Sequence, residues 1–315
     1  KSDRTVGYAD VDFRSSENVK EGMLRAKNAG LETLLTFSYS SMALNPDQKL
    51  NNYVVPLNWQ PFANDLLELK EVVYNHTYDI LEEYVEASLI PKIISVGNEI
   101  SWRFLEENKL ENELLPYDGS RVAALLNSGT KAIRDINSEY NLNIKIALHY
   151  GGANGLKWWM EEHMPYNLDF DIMGISHYHE WTPIFDDFSN WKDIGDWFKN
   201  NYNIKFMIME TAQLFTEGGN DDHVDILGTG NIPVGYVNPP TTDTQRLYLK
   251  DLAQEILNAG GVGLIVWGGE WVGSNTLIYP DQWGAGSSWE NKAFWDFNHN
   301  LHDGVNWMSD IEAEN

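Results

Sequence analysis

The chain has 315 residues, of which 43% are hydrophobic and 22% charged, a globular composition that excludes a disordered, collagen-like or coiled-coil protein. Its 22 basic and 47 acidic residues give a formal net charge of −25, and such a surface repels nucleic acids and anionic membranes. The absence of cysteine excludes disulfides, thiolate metal sites and a cysteine nucleophile. The 13 Trp, 15 Tyr and 12 Phe residues suit a bulky core or a carbohydrate ligand.

Short apolar runs alternate along the chain with longer amphipathic stretches. The amphipathic stretches predict helices, because their apolar residues recur every three or four positions, and the short runs predict buried parallel strands. Helices are predicted at 17–30, about 62–87, 120–137, 157–163, 191–201 and 244–258. Strands are predicted at 31–40, 91–100, 143–151, 170–178, 204–215 and 261–271.

This repeated strand–helix order predicts a parallel sheet, either in an α/β barrel or in a doubly wound fold. A nucleotide-binding doubly wound fold is disfavoured, because no predicted strand is followed by its glycine-rich phosphate-binding turn. Polar and aromatic residues instead follow the carboxyl ends of the strands, where a barrel builds its active site. They are Ser38, Tyr39, Asn98, Glu99, His149, Tyr150, His177, Tyr178, Glu210 and Trp267.

Two glutamates at strand ends indicate the chemistry. Glu99 and Glu210 each follow an apolar run, where a carboxylate is costly unless it is used. Glycoside hydrolysis uses two carboxylates, and in retaining enzymes they lie about 5–5.5 Å apart. The sequence therefore predicts that Glu99 and Glu210 face each other across one cleft. The alternative is that each glutamate caps a helix or pairs with a buried arginine.

Six segments, taken in order, carry a family resemblance. They are residues 26–35 (AKNAGLETLL), 73–77 (VYNHT), 96–100 (VGNEI), 169–176 (DFDIMGIS), 209–212 (META) and 288–293 (SWENKA). In order and spacing the sequence resembles the endo-β-1,4-galactanases of glycoside hydrolase family 53, from about Gly7 to Phe297. The resemblance implies a (β/α)8 barrel and a retaining mechanism.

The resemblance also implies site roles. Glu99 would be the acid/base, Glu210 the nucleophile, and Asn98 a partner of the sugar 2-hydroxyl. Tyr178 would hold Glu210, and Trp267 would form the floor under that sugar. The remaining candidates for substrate contact are two histidines and two tryptophans, namely His149, His177, Trp181 and Trp271. For the histidines, a structural hydrogen-bonding role is the alternative.

A long loop after the fifth strand suggests a metal site. Asp221, His223 and Asp225 alternate at i, i+2 and i+4, and closely packed oxygen ligands suit Ca²⁺. The resemblance implies a calcium site here, as in bacterial members of the family, completed by Ser287 and Glu290. A histidine ligand is unusual for calcium, and a solvated acidic turn is the alternative. No organic cofactor is expected.

Some positions depart from the family pattern. The first strand usually reads D-F-H-Y-S-D and continues T-W-A-D-P, whereas here Ser38, Ser41, Ala43 and Asn45 replace a histidine, a tryptophan and acidic residues. After the sixth strand the usual W-E-P-A-W has become W-G-G-E-W at 267–271. These changes leave the reaction type unaffected, but they put in question the exact substrate and the length of the sugar chain that is bound.

The sequence predicts a single catalytic domain spanning 1–315. It predicts six strands where a barrel needs eight, so we expect that strand 1, helix 1 and strand 2 of the family pattern are missing from it. We expect a monomeric bacterial enzyme, secreted, periplasmic or at the cell surface, that hydrolyses β-1,4-galactan or type I arabinogalactan side chains of pectin. The alternatives are a retaining β-glycosidase for another β-linked glycan and a non-catalytic carbohydrate-binding relative.

Overall fold

The structure is a computed structural model that describes residues 15–39, 54–101, 103–107, 116–182, 187–228, 232–273 and 286–311. The chain divides into two compact units. The first unit comprises Lys1–Gly151 and Gly155–Met173, and the second comprises Gly152–Asn154 and Gly174–Asn315. Among the described residues, no helix combines the length and apolarity needed to cross a membrane.

The first unit alternates helices with parallel strands. Strands β1, β2 and β3 pair in sequence order, with Phe37 opposite Val96 and Val96 opposite Leu148. The N–H of Asp171 then donates to the carbonyl of Ile146, at 2.8 Å, and so ties β3 to the start of the next strand. The elements are α1 Ser16–Asn28, β1 Leu34–Phe37, α2 Leu66–Glu86, β2 Ile93–Val96, α3 Gly119–Glu139, β3 Lys145–Tyr150 and α4 Leu156–His163.

Polar caps set where the helices of the first unit begin. The side chains of Ser15, Asp65 and Asp118 accept backbone N–H bonds at the starts of α1, α2 and α3, which satisfies donors that have no partner within a helix. Both α2 and α3 then bury one apolar stripe, including Leu69 in α2 and Ile133 in α3. Capping and stripe together explain why these segments are helical.

The second unit continues the same pattern. Its elements are β4 Ile172–Ser176, whose first two residues belong to the first unit, α5 Ser189–Asn201, β5 Lys205–Thr211, α6 Thr242–Asn258 and β6 Leu264–Val266. Strand β5 pairs with β6 in parallel, with Ile208 opposite Leu264. The N–H of His177 donates to the carbonyl of Glu210, at 2.8 Å, and joins the end of β4 to β5.

All six predicted strands and all six predicted helices occur in the described residues, but the strands are shorter than predicted. The run predicted at 261–271, for example, forms a strand only over Leu264–Val266. Strands shorten because their polar and glycine-containing ends turn away to build loops. Burial also differs among strands: β3 and β4 are nearly all buried, whereas β1 and β6 are mostly half-buried or exposed.

Candidate active site

The turn that follows β2 places Glu99. Gly97 and Glu99 both have left-handed backbones, with φ of 85° and 50°. A Cβ atom on Gly97 would lie 2.4 Å from Cγ2 of Ile100, so the turn requires glycine. A left-handed conformation is uncommon for a residue such as Glu99, and such residues cluster at functional sites. The tight turn leaves the Glu99 side chain half-buried at the carboxyl end of the strand.

His149, at the end of β3, orients Asn98. Its Nδ1 lies 3.2 Å from Oδ1 of Asn98, and because that oxygen only accepts, Nδ1 carries the proton. Burial lowers the pKa of His149 to about 4, so the ring is neutral near pH 7. The side-chain amide of Asn98, which is exposed, is thereby held through its oxygen.

The end of β3 also packs directly on Glu99. A Cβ atom on Gly151 would lie 3.1 Å from Cβ of Glu99 and 3.5 Å from its Cδ. The N–H of Gly151 donates to Oγ of Ser101, at 3.0 Å, and the N–H of Ile100 donates to the carbonyl of His149, at 2.8 Å. The first unit thus holds Glu99 between two neighbouring strand ends.

In the second unit, Tyr178 holds Glu210. Glu210 lies on β5 and is half-buried, and the Tyr178 hydroxyl donates to its Oε1 at 2.8 Å. Tyr178 is itself only 2% exposed. A phenol that donates to a carboxylate stabilises the ionised form and restricts its orientation. Glu210 therefore has the surroundings that a carboxylate nucleophile needs.

His177 is a buried neighbour of this pair. Thr182 donates its hydroxyl to the carbonyl of Tyr178 at 3.0 Å, so its oxygen accepts the proton of His177 Nδ1 at 2.8 Å. The other ring nitrogen, Nε2, lies 3.1 Å from the hydroxyl of Tyr248. Burial lowers the pKa of His177 to about 3, which keeps the ring neutral. These contacts suit the structural alternative for His177 better than contact with a sugar.

Tryptophans of the second unit form an aromatic surface near Tyr178. Trp181 is 51% exposed and its ring centroid lies 4.7 Å from that of Tyr178. Trp267, 39% exposed, lies 5.5 Å from Trp271. The buried ring of Trp289 packs against both, with its centroid 5.7 Å from that of Tyr178 and 6.5 Å from that of Trp267. The sequence did not identify Trp289 as a site residue, although it lies within the SWENKA segment.

The acidic loop shows the alternation that the sequence predicts. Asp221, His223 and Asp225 are half-buried, whereas the residues between them are exposed. The loop is bound to the segment that contains Ser287 and Glu290. Oδ2 of Asp221 accepts the N–H of Ser287 at 2.7 Å, and Oε1 of Glu290 accepts the N–H of Asp221 at 3.1 Å. The five predicted metal ligands therefore lie on two segments that contact each other.

This cluster fits a hard cation. Oδ1 of Asp225 and Oε2 of Glu290 are buried without a hydrogen-bond partner, and burial raises the pKa of both groups, that of Asp225 to about 6. A Cβ atom on Gly286 would lie 2.0 Å from Cγ of Asp221, and one on Gly273 would lie 1.9 Å from Oε2 of Glu290. Glycines thus allow the carboxylates to approach the backbone.

The histidine and the serine of the cluster have protein partners. Nδ1 of His223 donates to the carbonyl of Val224 at 3.0 Å, so Nε2 is the ring nitrogen whose lone pair suits a metal. The hydroxyl of Ser287 donates to the carbonyl of Trp271 at 3.1 Å, so its oxygen lone pairs remain suited to a cation. Both residues are compatible with the predicted ligand set.

A buried lysine lies beside the cluster and was not singled out from the sequence. Lys292 is fully buried, and its Nζ lies 4.2 Å from the ring centroid of Trp289 and 3.4 Å from the carbonyl of Ser288. Burial lowers its pKa to about 8, against the opposing charges of Asp225 and Glu180. A buried ammonium of this kind is stabilised by the aromatic face and by these carboxylates.

Not all the positions that depart from the family pattern are described. Ser38 is exposed at the end of β1, whereas Ser41, Ala43 and Asn45 lie outside the described residues. After β6, Gly268 has a φ of 73°, and its Cβ position lies 3.3 Å from Cβ of Trp289. The glycine therefore permits close packing of the strand end on Trp289. Glu270 accepts the indole N–H of Trp271 at 3.1 Å.

Comparison with known proteins identifies the family. The family model described as "Glycosyl hydrolase family 53" matches residues 3–308. An arabinogalactan endo-β-1,4-galactanase of Cellvibrio japonicus is 31% identical over 290 residues, covering 92% of this chain and 72% of that protein. An arabinogalactan endo-β-1,4-galactanase A of Emericella nidulans is 26% identical over 305 residues, covering 93% and 77%.

Solved structures agree on the fold. The family 53 catalytic domain of Ignisphaera aggregans superposes with a TM-score of 0.74 at 24% identity, covering 93% of this chain and 77% of that one. A structure from a study of two fungal β-1,4-galactanases gives a TM-score of 0.72 at 23% identity, covering 97% and 85%.

Parallel strands that alternate with helices, together with the likeness to these structures, define a fold of the (β/α)8 barrel class, and the family match defines a glycoside hydrolase. The chain belongs to glycosyl hydrolase family 53.

Proposed function

We propose that the protein hydrolyses β-1,4-galactosidic bonds inside galactan or the type I arabinogalactan side chains of pectin, with retention of configuration. Family membership and the relative from Cellvibrio japonicus, an arabinogalactan endo-β-1,4-galactanase, support the reaction. The observation that carries the mechanism is the bond from the Tyr178 hydroxyl to Glu210, because it orients one carboxylate as a nucleophile. A polymeric substrate of this kind favours action outside the cytoplasm.

In the first step, a carboxylate oxygen of Glu210 attacks the anomeric carbon while Glu99 gives its proton to the glycosidic oxygen. The bond to the leaving sugar breaks, and a covalent glycosyl–enzyme forms. In the second step, Glu99 accepts a proton from water, and that water displaces Glu210 from the same carbon. Both glutamates then return to their starting protonation states.

The remaining residues bind and orient the sugar. Asn98, held through its oxygen by His149, offers its amide to the 2-hydroxyl of the sugar that Glu210 attacks. The exposed faces of Trp181 and Trp267, together with Trp271, suit the apolar faces of galactosyl units. His177 has a structural role instead of contacting the substrate. It donates to Thr182, which in turn donates to the carbonyl of Tyr178.

Two substitutions test the catalytic roles. Glu210→Gln is expected to abolish hydrolysis of galactan and of an activated aryl β-galactoside, because this group forms the covalent bond itself. Glu99→Gln is expected to lose galactan hydrolysis but to release the aryl group in a burst, because a good leaving group needs no acid and only the second step lacks its base. Steady-state and pre-steady-state release of the aryl group distinguish the two variants.

The matched control is Glu217→Gln, at an exposed glutamate on the loop after β5, and it should keep wild-type rates. If Glu99→Gln loses both substrates alike while Glu210→Gln keeps the aryl one, the two roles are reversed. A panel of β-1,4-galactan, arabinogalactan and xylan tests the substrate. Wild-type activity on xylan alone would favour a β-glycosidase for another glycan, and inactivity on the whole panel would favour a non-catalytic relative.

We further propose that Asp221, His223, Asp225, Ser287 and Glu290 hold a calcium ion. The buried carboxylate oxygens without partners and their raised pKa values support this, since a divalent cation would relieve both. The ion would supply structural cross-linking between the loop after β5 and the segment before residue 291, not catalysis.

Chelation tests this metal proposal. A chelator is expected to lower the melting temperature, because an ion at 100 times its Kd stabilises the folded state by about 2.7 kcal/mol. Added calcium should restore the melting temperature, and Asp225→Asn should abolish the response. Asp222→Asn, at the exposed neighbouring position, is the control and should respond like the wild type. Unchanged melting after chelation would leave only an acidic turn.

A further inference from the structure

The first unit carries a pair of aromatic rings that the proposed mechanism does not use. Tyr117 precedes α3, and Trp158 lies in the first turn of α4. Their ring centroids are 6.0 Å apart and their planes are inclined by 44°. Trp158 is 43% exposed and Tyr117 is half-buried. The two rings therefore form an inclined aromatic corner that is open to solvent.

Buried partners fix the ring of Tyr117. Nδ1 of His163 lies 2.6 Å from the carbonyl of Trp159, which only accepts, so this nitrogen carries the ring proton. Burial lowers the pKa of His163 and keeps it neutral. Its Nε2 therefore accepts the hydroxyl of Tyr117. His163 in turn stacks on the buried ring of Trp159 at 4.2 Å. A ring fixed in this way loses little entropy when a ligand binds.

Topology places both rings in the connections that follow β2 and β3. Tyr117 lies between β2 and α3, in the same connection as Glu99, and Trp158 lies at the start of α4, which follows β3. In that short loop, Gly151 packs on Glu99, and the hydroxyl of Tyr150 lies 2.9 Å from the Cβ position of Gly155. Both rings thus lie in the chain segments that follow β2 and β3, the two strands whose ends hold Glu99.

Charged groups influence the phenol of Tyr117. Its pKa is raised chiefly by burial and then by the nearby carboxylate of Glu162, whereas Arg103 opposes the shift and Asp118 adds to it. A carboxylate and a guanidinium beside an aromatic face provide acceptors and donors for sugar hydroxyls. The two carboxylates also disfavour an acidic sugar, because like charges repel.

We propose that Tyr117 and Trp158 form a binding subsite for a neutral galactosyl unit on the leaving-group side of Glu99. The proposal rests on the proposed function, in which Glu99 protonates the departing sugar, so that sugars on that side run along the loops that hold Glu99. The apolar face of galactose stacks on the aromatic corner, and its hydroxyls bond to Arg103 or Glu162.

The test uses Trp158→Ala and galacto-oligosaccharides of increasing length that are labelled at the reducing end. Loss of the ring should lower kcat/KM on long oligosaccharides by about three- to tenfold, while kcat/KM on the shortest cleaved ones stays unchanged. Cleavage should also shift toward the reducing end, because fewer units are then held on the leaving-group side. Tyr117→Phe, which keeps the ring, should show a smaller effect.

Tyr166→Ala is the matched control, because Tyr166 is 44% exposed and lies just beyond the opposite end of α4. Wild-type cleavage patterns in Trp158→Ala, or an equal loss in Tyr166→Ala, would overturn the subsite while leaving the activity established. A wild-type protein that cleaves none of the galacto-oligosaccharides would refute the proposed function, and the subsite with it. Retained folding of both variants is read from their unfolding curves.

Discussion

Tyr178 joins three parts of the second unit through its side chain and its backbone carbonyl. Its hydroxyl donates to Glu210, its carbonyl accepts the hydroxyl of Thr182, and its ring packs against Trp181 and Trp289. The phenol has little freedom to move, because its ring packs against two tryptophans and the residue is 2% exposed. A donor fixed in this way orients the carboxylate before substrate binds, and preorganisation of this kind lowers the barrier to reaction.

Removal of this donor should reduce catalysis in a characteristic way. Tyr178→Phe is expected to lower kcat/KM on galactan by roughly 10- to 100-fold, since a hydrogen bond to a charged group contributes about 1.5–3 kcal/mol. Because the phenol favours the ionised carboxylate, its loss should also move the acid limb of the pH–rate profile to higher pH. The measurement is kcat/KM from pH 4 to 8.

Tyr236→Phe is the matched control for that substitution. Tyr236 donates to the carboxylate of Asp251 at 2.9 Å in the same unit, so the variant loses the same type of bond away from Glu210. Its pH–rate profile should match that of the wild type. If the two variants lose activity equally and neither acid limb moves, Tyr178 stabilises the fold without tuning the nucleophile.

At the scale of elements, Arg121 of α3 ties several loops together. Its guanidinium donates to the carbonyls of Phe104 at 2.9 Å, Leu105 at 2.7 Å and Ala63 at 3.2 Å, and to the carboxylate of Glu106 at 3.3 Å. Burial lowers its pKa, which shows that its partners only partly offset the loss of hydration. One side chain therefore connects α3 both to the loop after β2 and to the segment before α2.

Arg121→Met should destabilise the protein by about 2–4 kcal/mol, because it leaves buried carbonyls without this donor and removes one of the two arginines that pair with Glu106. The stability of Arg121→Lys should fall between that of Arg121→Met and that of the wild type, since an ammonium keeps the charge but lacks the several fixed N–H donors of a guanidinium. Urea unfolding at pH 7 measures both. Equal stability of Arg121→Met and the wild type would show that water replaces these bonds without cost.

The order of elements could be predicted from sequence because apolar periodicity is local: each of α1 to α6 and β1 to β6 carries its own pattern. The strand ends could not. Whether Glu99 continues β2 or turns away depends on the left-handed backbone at Gly97 and on its contact with Ile100. Likewise, Lys292 and Trp289 gain their importance from burial beside Tyr178 and Asp225, which are far from them in the sequence.

At the scale of the whole molecule, the buried His149 and His177 and the half-buried His76 couple stability to pH. Burial lowers the pKa of His76 and His149 to about 4 and that of His177 to about 3, whereas an unfolded histidine titrates near 6.5. Between these values the unfolded chain binds protons that the folded protein does not bind. The free energy of unfolding contributed by each histidine is therefore intact above pH 6.5 and is lost as the pH falls toward 4.

His76→Phe isolates one of these contributions. His76 packs edge-on against Trp59, at 5.2 Å, and near Phe37, at 6.1 Å, so a phenyl ring suits its apolar surroundings. At pH 7.5 the difference in unfolding free energy between variant and wild type reports packing alone, since the imidazole is neutral in both states. As the pH falls to 4, the unfolding free energy of the variant should rise relative to that of the wild type by up to about 3 kcal/mol, at about 1.4 kcal/mol per pH unit.

Carboxylates such as Asp225, whose pKa is raised to about 6, act in the opposite direction, but they are present in both proteins and their effects cancel in the difference. Urea unfolding at pH 7.5, 6, 5 and 4.5 measures the difference, and two parallel curves would show that His76 is hydrated and titrates alike in the folded and unfolded states.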